Sequence, residues 1–162
     1  MRAYTGGMRV NRWLARLFGF SLLIACVGPQ LPDRSAPQVY EGRGFSVVVR
    51  KDVLSNAVSP EPGVTLYDFH VGSQQILFAY VGDKPGYPRF GGAALVEEDL
   101  RLASGLEAHC RSVKAERGRS RECLVTLSRG SPGKLHAFYA ELGEEWAAVA
   151  DGIVQSVAAR GN

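Results

Sequence analysis

The chain predicts an α+β domain: a mostly antiparallel sheet with a C-terminal amphipathic helix packed on one face, in a two-layer or α/β/α sandwich arrangement. Three observations carry this. Segments between Phe45 and Ala140 alternate or cluster apolar residues as strands do, with glycine-rich turns between them. The Gly72-Ser73 step between two of these segments is short enough to demand an antiparallel hairpin. Finally, Leu142, Trp146, Val149, Ile153 and Val157 recur at steps of four, three, four and four, which lines them on one helical face. A length of 162 residues and a hydrophobic content of 46% suit one domain with a real core.

The first element is not part of that domain. Residues 1–25 have a basic region holding Arg2, Arg9, Arg12 and Arg16, no acidic residue, and then an apolar stretch from Leu17 to Ala25, the pattern of a signal peptide. The apolar run is roughly half the length of about 20 residues that a spanning helix requires. Of the chain's 19 basic side chains four lie in this leader, leaving 15 against 16 acidic ones. The formal charge of +3 therefore belongs to the leader, and the body offers no argument for binding nucleic acid. Met8 is an alternative start that would give the same mature protein.

Leu23-Ile24-Ala25-Cys26 resembles the lipobox of bacterial lipoproteins: Leu three places before the cysteine, a small residue directly before it, and Cys as the first mature residue. The resemblance implies that the Cys26 thiol is diacylated and the leader removed. Two or three acyl chains, at about 0.8 kcal/mol per buried methylene, make a stable membrane anchor. Val27 stands where lipoproteins kept at the inner membrane commonly have Asp. In a Gram-negative cell the resemblance thus implies the periplasmic face of the outer membrane. An ordinary secretory signal, with Cys26 incidental, is the alternative.

After Cys26 come prolines at 29, 32 and 37 and no apolar periodicity, so residues 26–39 read as a tether able to reach about 40 Å when extended. The domain is expected over residues 40–162. Its strands are expected at Phe45–Val49, Val64–Val71 and Gln75–Val81. The stretch from Gly82 to Gly105 opens with the loop GDKPGYPRFGG, and ALVEEDLRLASG suits a short helix or an edge strand equally. Further strands are expected at Leu106–Lys114 and Glu122–Leu127, joined by the turn AERGRSR, and at Leu135–Ala140. The closing helix has Glu144 and Glu145 in its first turn, Arg160 in its last and Gly161 beyond, as the helix dipole and C-cap favour. In its GFSVVV opening strand, its element order and its closing helix from Glu144-Glu145-Trp146, the body is similar to the PsbP-like and DcrB-like fold, in which helices sandwich a small antiparallel sheet. That likeness concerns fold and not function.

Four sets of residues are candidates for chemistry or binding. Cys110 and Cys123 would face each other across an even-register hairpin in an exported domain, and a disulfide is the favoured reading over two buried thiols. No CxxC or histidine cluster accompanies them, so no metal is implied, and no cofactor. Arg111, Lys114, Arg117, Arg119, Arg121 and Arg129 make the AERGRSR turn basic. They read either as a site for anionic lipid or an acidic partner or, as charge runs on strands more often do, as a solvated hairpin tip. The loop at 80–90 offers Tyr80, Lys84, Tyr87, Arg89 and Phe90 as a contact surface stiffened by proline; the plainer and commoner alternative folds Tyr87 and Phe90 back onto the core. His70, His109 and His136 are scattered, and Asp68 shares a strand face with His70, but no catalytic motif surrounds them.

The expectation is therefore an envelope lipoprotein that acts as a binding or accessory domain, joined to the membrane through Cys26 and able to meet an envelope protein partner. The alternatives are a small-ligand carrier with a pocket between sheet and helix, and a hydrolase with an unrecognised site.

Overall fold

A computed structural model of the chain describes residues 36–91, 94–127 and 132–160. The leader, Cys26 and the tether as far as Ser35 lie outside the described residues, as does Arg129. The chain is mostly antiparallel sheet with one C-terminal helix among the described residues, as α+β composition requires.

The sheet begins inside the expected tether. Strand β1 (Pro37–Gly42) pairs with β2 (Phe45–Arg50) from Pro37↔Arg50 to Gly42↔Phe45, and the two-residue link needs the left-handed Gly44, at φ 74°. The physical reason for the early start is Tyr40. Its ring meets Tyr67 and Phe69 edge-on at centroid distances of 6.2 and 5.4 Å, so the segment has an apolar anchor that proline spacing conceals. Strand β3 (Leu54–Val58) has no burial pattern of its own and exists by pairing with β4 (Thr65–Val71). The expected hairpin is present: β4 turns at Gly72-Ser73 into β5 (Gln74–Gly82), with Gly72 at φ 57°.

The ambiguous ALVEEDLRLASG is an edge strand, β6 (Val96–Arg101), laid against β7 (Glu107–Ala115). Strand β7 continues through the expected turn. The link to β8 (Gly118–Thr126) is only Glu116-Arg117, with Ala115 opposite Gly118, so Arg119 and Arg121 belong to a strand. Strand β9 (Lys134–Leu142) follows. The seven strands order as β3-β4-β5-β9-β8-β7-β6, every neighbouring pair antiparallel.

Helix α1 (Glu144–Gln155) is shorter than its periodicity predicts, and its buried face is shifted to Ala147, Ala150, Ile153 and Val154, with Trp146 and Val149 only partly buried. Two alanines on that face let the helix axis approach β9, β2, β5 and β8 closely. The helix stops at Ser156, whose Oγ bonds Ile153 O at 2.7 Å and takes the Val48 N–H at 2.8 Å, drawing the chain onto the free edge of β2. There β10 (Ala158–Ala159) completes a three-stranded sheet in the order β1-β2-β10. Arg160 is accordingly not in the last helical turn as expected; it ion-pairs with Glu41 at 2.6 Å. Under α1 a space of about 10 Å³ is enclosed by Phe45, Phe69, Leu135, Ala137, Ile153 and Val154 among others, and an open groove of about 350 Å³ runs between α1 and β2, past Val48, Arg50, Val149 and Gly152. Among the described residues no helix is long and apolar enough to cross a membrane.

Candidate functional site

Alternation along a strand sends neighbouring side chains to opposite faces. On β9, Leu135 and Ala137 line the space beside Ile153 and Val154 of α1, so His136 and Phe138 point to the other, outer face. Strand register then dictates what shares that face, because partners directly across a ladder lie on the same side. One row reads Val58, Leu66, Tyr80, His136, Leu124, His109, Asp99 across all seven strands. The next reads Asn56, Asp68, Phe78, Phe138, Glu122, Arg111, Glu97.

These rows place a carboxylate and an imidazole side by side under the 83–91 loop. Glu122 is 0% exposed and His136 1%, with His136 Nε2 2.9 Å from Glu122 Oε2. Both carboxylate oxygens accept the Arg89 N–H, at 3.0 and 2.8 Å, and Oε1 also accepts the Phe90 N–H at 2.9 Å. Arg111 completes the grip: its Nη1 donates to Phe90 O at 2.9 Å and lies 4.0 Å from Glu122, while its Nε donates to Glu97 at 2.8 Å. A buried carboxylate so surrounded is an anchor for the loop backbone, which has no ladder of its own to join. At the loop's other end Asp83 Oδ1 accepts the Gly133 N–H at 2.9 Å.

The loop side chains divide by function. Tyr87, followed by a cis bond to Pro88, sets its ring edge-on to His136 at 5.3 Å and to His109 at 6.1 Å. Burial, and next the charge of Glu122, push its phenol up to about 12. Burial likewise lowers the His136 pKa, against the opposing pull of Glu122. Arg89 lays its guanidinium 4.2 Å over the Phe138 ring, which in turn leans on Phe78 at 5.1 Å. Lys84 is exposed. Of the five residues expected to form a contact surface, Tyr87 is thus folded back onto the sheet, Phe90 is half-buried and held through its backbone, Tyr80 lies in the first row, Arg89 is exposed but lies over Phe138, and Lys84 faces solvent.

The remaining candidates fall elsewhere. Cys110 and Cys123 are direct register partners on the core side, both fully buried, with sulfurs 2.08 Å apart, at bonding distance. The basic turn is largely dissolved into ion pairs. Arg119 meets Asp151 at 2.5 Å, Arg121 meets Glu98 and Asp151, and Arg111 is engaged as above, leaving Lys114 and Arg117 exposed at the tip. Asp68 and His70 approach only to 3.9 Å, and Asp68 Oδ1 instead accepts from Gln75 Nε2 at 2.8 Å. His109 Nδ1 makes a 2.6 Å hydrogen bond with Asp99 beside an open groove of about 500 Å³ that also touches Arg101, Glu107, Leu124 and Thr126.

Sequence reasoning did not find Glu122, Phe138 or Phe78. Glu122 reads as one more counter-charge in a basic stretch, and only the register of β8 against β9 reveals that it lies beneath a loop 33 residues away. No protein-family model matches the chain, and no curated protein matches it.

Proposed function

We propose that this chain is an exported, lipid-anchored binding domain of the cell envelope, tethered through Cys26 and meeting a protein partner with the outer face of its seven-stranded sheet. The observation that carries the reading is a group of apolar side chains on that face, set around the polar pair Asn56 and Asp68. Leu54 and Val58 are 57% and 61% exposed, and beside them Leu66, Phe78 and Tyr80 are only half-buried. A solvated sheet face normally alternates to polar residues, and an apolar one calls for something to cover it. The space enclosed by Phe45, Phe69, Leu135 and Ile153 under α1, about 10 Å³, is too small for a carried ligand, which favours the outer surface over a pocket at that spot. We read the arrangement as two layers, with α1 and the small sheet covering the inner face. The lipobox and Val27 support residence on the periplasmic side of an outer membrane.

Two measurements test this. Mass spectrometry of the mature amino terminus should find acyl chains on Cys26, and Cys26→Ser should release the protein from membranes. A photo-cross-linking residue at position 58 should capture one envelope protein in cells, and the same residue at position 117 should not. An unacylated amino terminus elsewhere, or capture that does not depend on the face, would refute the proposal.

A further inference from the structure

We infer that Phe78 and Phe138 form a receptor for an arginine side chain of the partner, and that Arg89 of the protein's own loop occupies it in the free state. The inference rests on the binding role of the outer face proposed above and names the chemistry that face selects.

The second row sets two aromatic rings between two carboxylates, in the order Asp68, Phe78, Phe138, Glu122. The ring centroids are 5.1 Å apart at an interplanar angle of 47°, and both residues are half-buried, so part of their surface faces water. An aromatic face is the negative end of a quadrupole and attracts cations; Asp68 adds negative charge at the Phe78 end, whereas the Glu122 charge is taken up by the Arg89 and Phe90 N–H groups, His136 and Arg111. Asp68, the register partner of Phe78, keeps 35% of its side chain exposed and is held by Gln75, so a negative charge stands beside the aromatic pair. Beside the pair a shallow groove of about 120 Å³ runs past Gln75 and Ala140 to Leu142, with room for the methylene stem of an incoming side chain.

Arg89 already demonstrates the fit. Its backbone is pinned by Glu122, and from that fixed point the guanidinium reaches a cation–π position 4.2 Å over Phe138. A planar guanidinium stacks on a ring as an ammonium does not, so the geometry selects arginine over lysine. The residue carrying this plug is solvent-exposed, and an exposed cation–π contact is weak enough to exchange. A partner arginine displaces it without disturbing the Glu122 anchor, because that anchor holds the backbone and not the side chain. The partner is thereby expected to present arginine on an apolar surface complementary to Leu54, Val58 and Leu66.

The test is a titration of the full chain, in detergent, with an arginine blocked at both ends, followed by the ring-proton resonances of Phe78 and Phe138. Arg89→Ala should bind the blocked arginine about threefold tighter or more, since it removes the internal competitor. Blocked citrulline, which is isosteric and neutral, should not bind. In the Arg89→Ala background, Phe138→Leu and separately Asp68→Asn should each weaken binding; Asp68→Asn removes the charge while keeping an oxygen that can accept from Gln75, so an unchanged denaturation midpoint separates lost charge from lost fold. Equal response to arginine and citrulline, or no gain in Arg89→Ala, overturns the inference. If cross-linking from position 58 persists in that event, the outer face still binds a partner but not through arginine; if cross-linking is lost while blocked arginine binds, the receptor stands and the protein-partner reading falls.

Discussion

His136 Nε2 hydrogen-bonds Glu122 Oε2 at 2.9 Å in a spot closed to water on every side, so an imidazole and a carboxylate share one buried site. A carboxylate acceptor places the ring proton on Nε2. The groups facing the imidazole are Glu122, the Tyr87 ring and, from the loop, the charge of Arg89, which adds to burial in lowering its pKa.

Stability is therefore expected to depend on pH through His136. The unfolded imidazole takes up its proton near 6.5, the folded one only at lower pH. Between those values the unfolded chain binds more protons, so this contribution is complete above about 6.5 and is lost as pH falls through the window. Urea denaturation at pH 7.5 and 5.5 should show a smaller drop for His136→Gln than for the wild-type chain. An equal drop in both would assign the dependence to other groups.

Glu122→Gln should free the loop. The amide keeps one acceptor oxygen, but whichever way it turns its NH2 group lies against the Arg89 N–H and against either the Phe90 N–H or His136 Nε2, and leaving a buried donor unpaired costs about 1–3 kcal/mol. Hydrogen exchange of those two amides should accelerate well beyond that of the β5 and β9 ladders. Protection that stays unchanged would show that Glu122 does not hold the loop.

Gly118 is a position where nothing larger fits. Its φ is 145°, and an added Cβ would lie 2.0 Å from Leu142 O, a backbone atom fixed in β9. Gly118→Ala should cost at least about 2 kcal/mol by overpacking and backbone strain together. Gly63, at φ 86° with open space around it, is the control: its Ala variant bears only the backbone term of about 1–2 kcal/mol. Denaturant midpoints compare the two directly.

Cys110 and Cys123, partners across the β7–β8 ladder and 13 residues apart in sequence, should yield no free thiol when the oxidised protein is unfolded and alkylated. On the chain-entropy model the crosslink contributes about 3 kcal/mol, so reduction or a double Cys→Ala variant should lower the denaturation midpoint accordingly. Full alkylation without reductant would show two buried thiols instead.

The fold was legible wherever local signals agreed with the tertiary outcome. The Gly72-Ser73 hairpin is such a case: turn chemistry and flanking alternation both require it, and the ladder runs to Val71↔Gln74 as they imply. The helix was legible in kind and only partly in face, since Ile153 is buried as its period implies. Periodicity favours the large residues Trp146 and Val149, whereas close approach to the strands favours Ala147 and Ala150, and packing decided the rotation. Strands β1, β3 and β10 were illegible because pairing creates them; Ala158-Ala159 becomes a strand only because Ser156 delivers it to β2. The outer-face site was half legible. The 80–90 loop stands out by composition, but its anchor Glu122 is hidden among arginines, and only cross-strand register joins the two.

The three-stranded order β1-β2-β10 has a mechanical consequence. A pull arriving from the amino-terminal side enters the domain at Pro37, at the end of a border strand whose six rungs join it to β2 alone. That ladder, together with the Tyr40 ring against Tyr67 and Phe69, is what such a pull would load first, as a sacrificial seam. Because β1 shares no rung with the larger sheet, a tug that opens it leaves the Glu122 anchor and the aromatic pair in register.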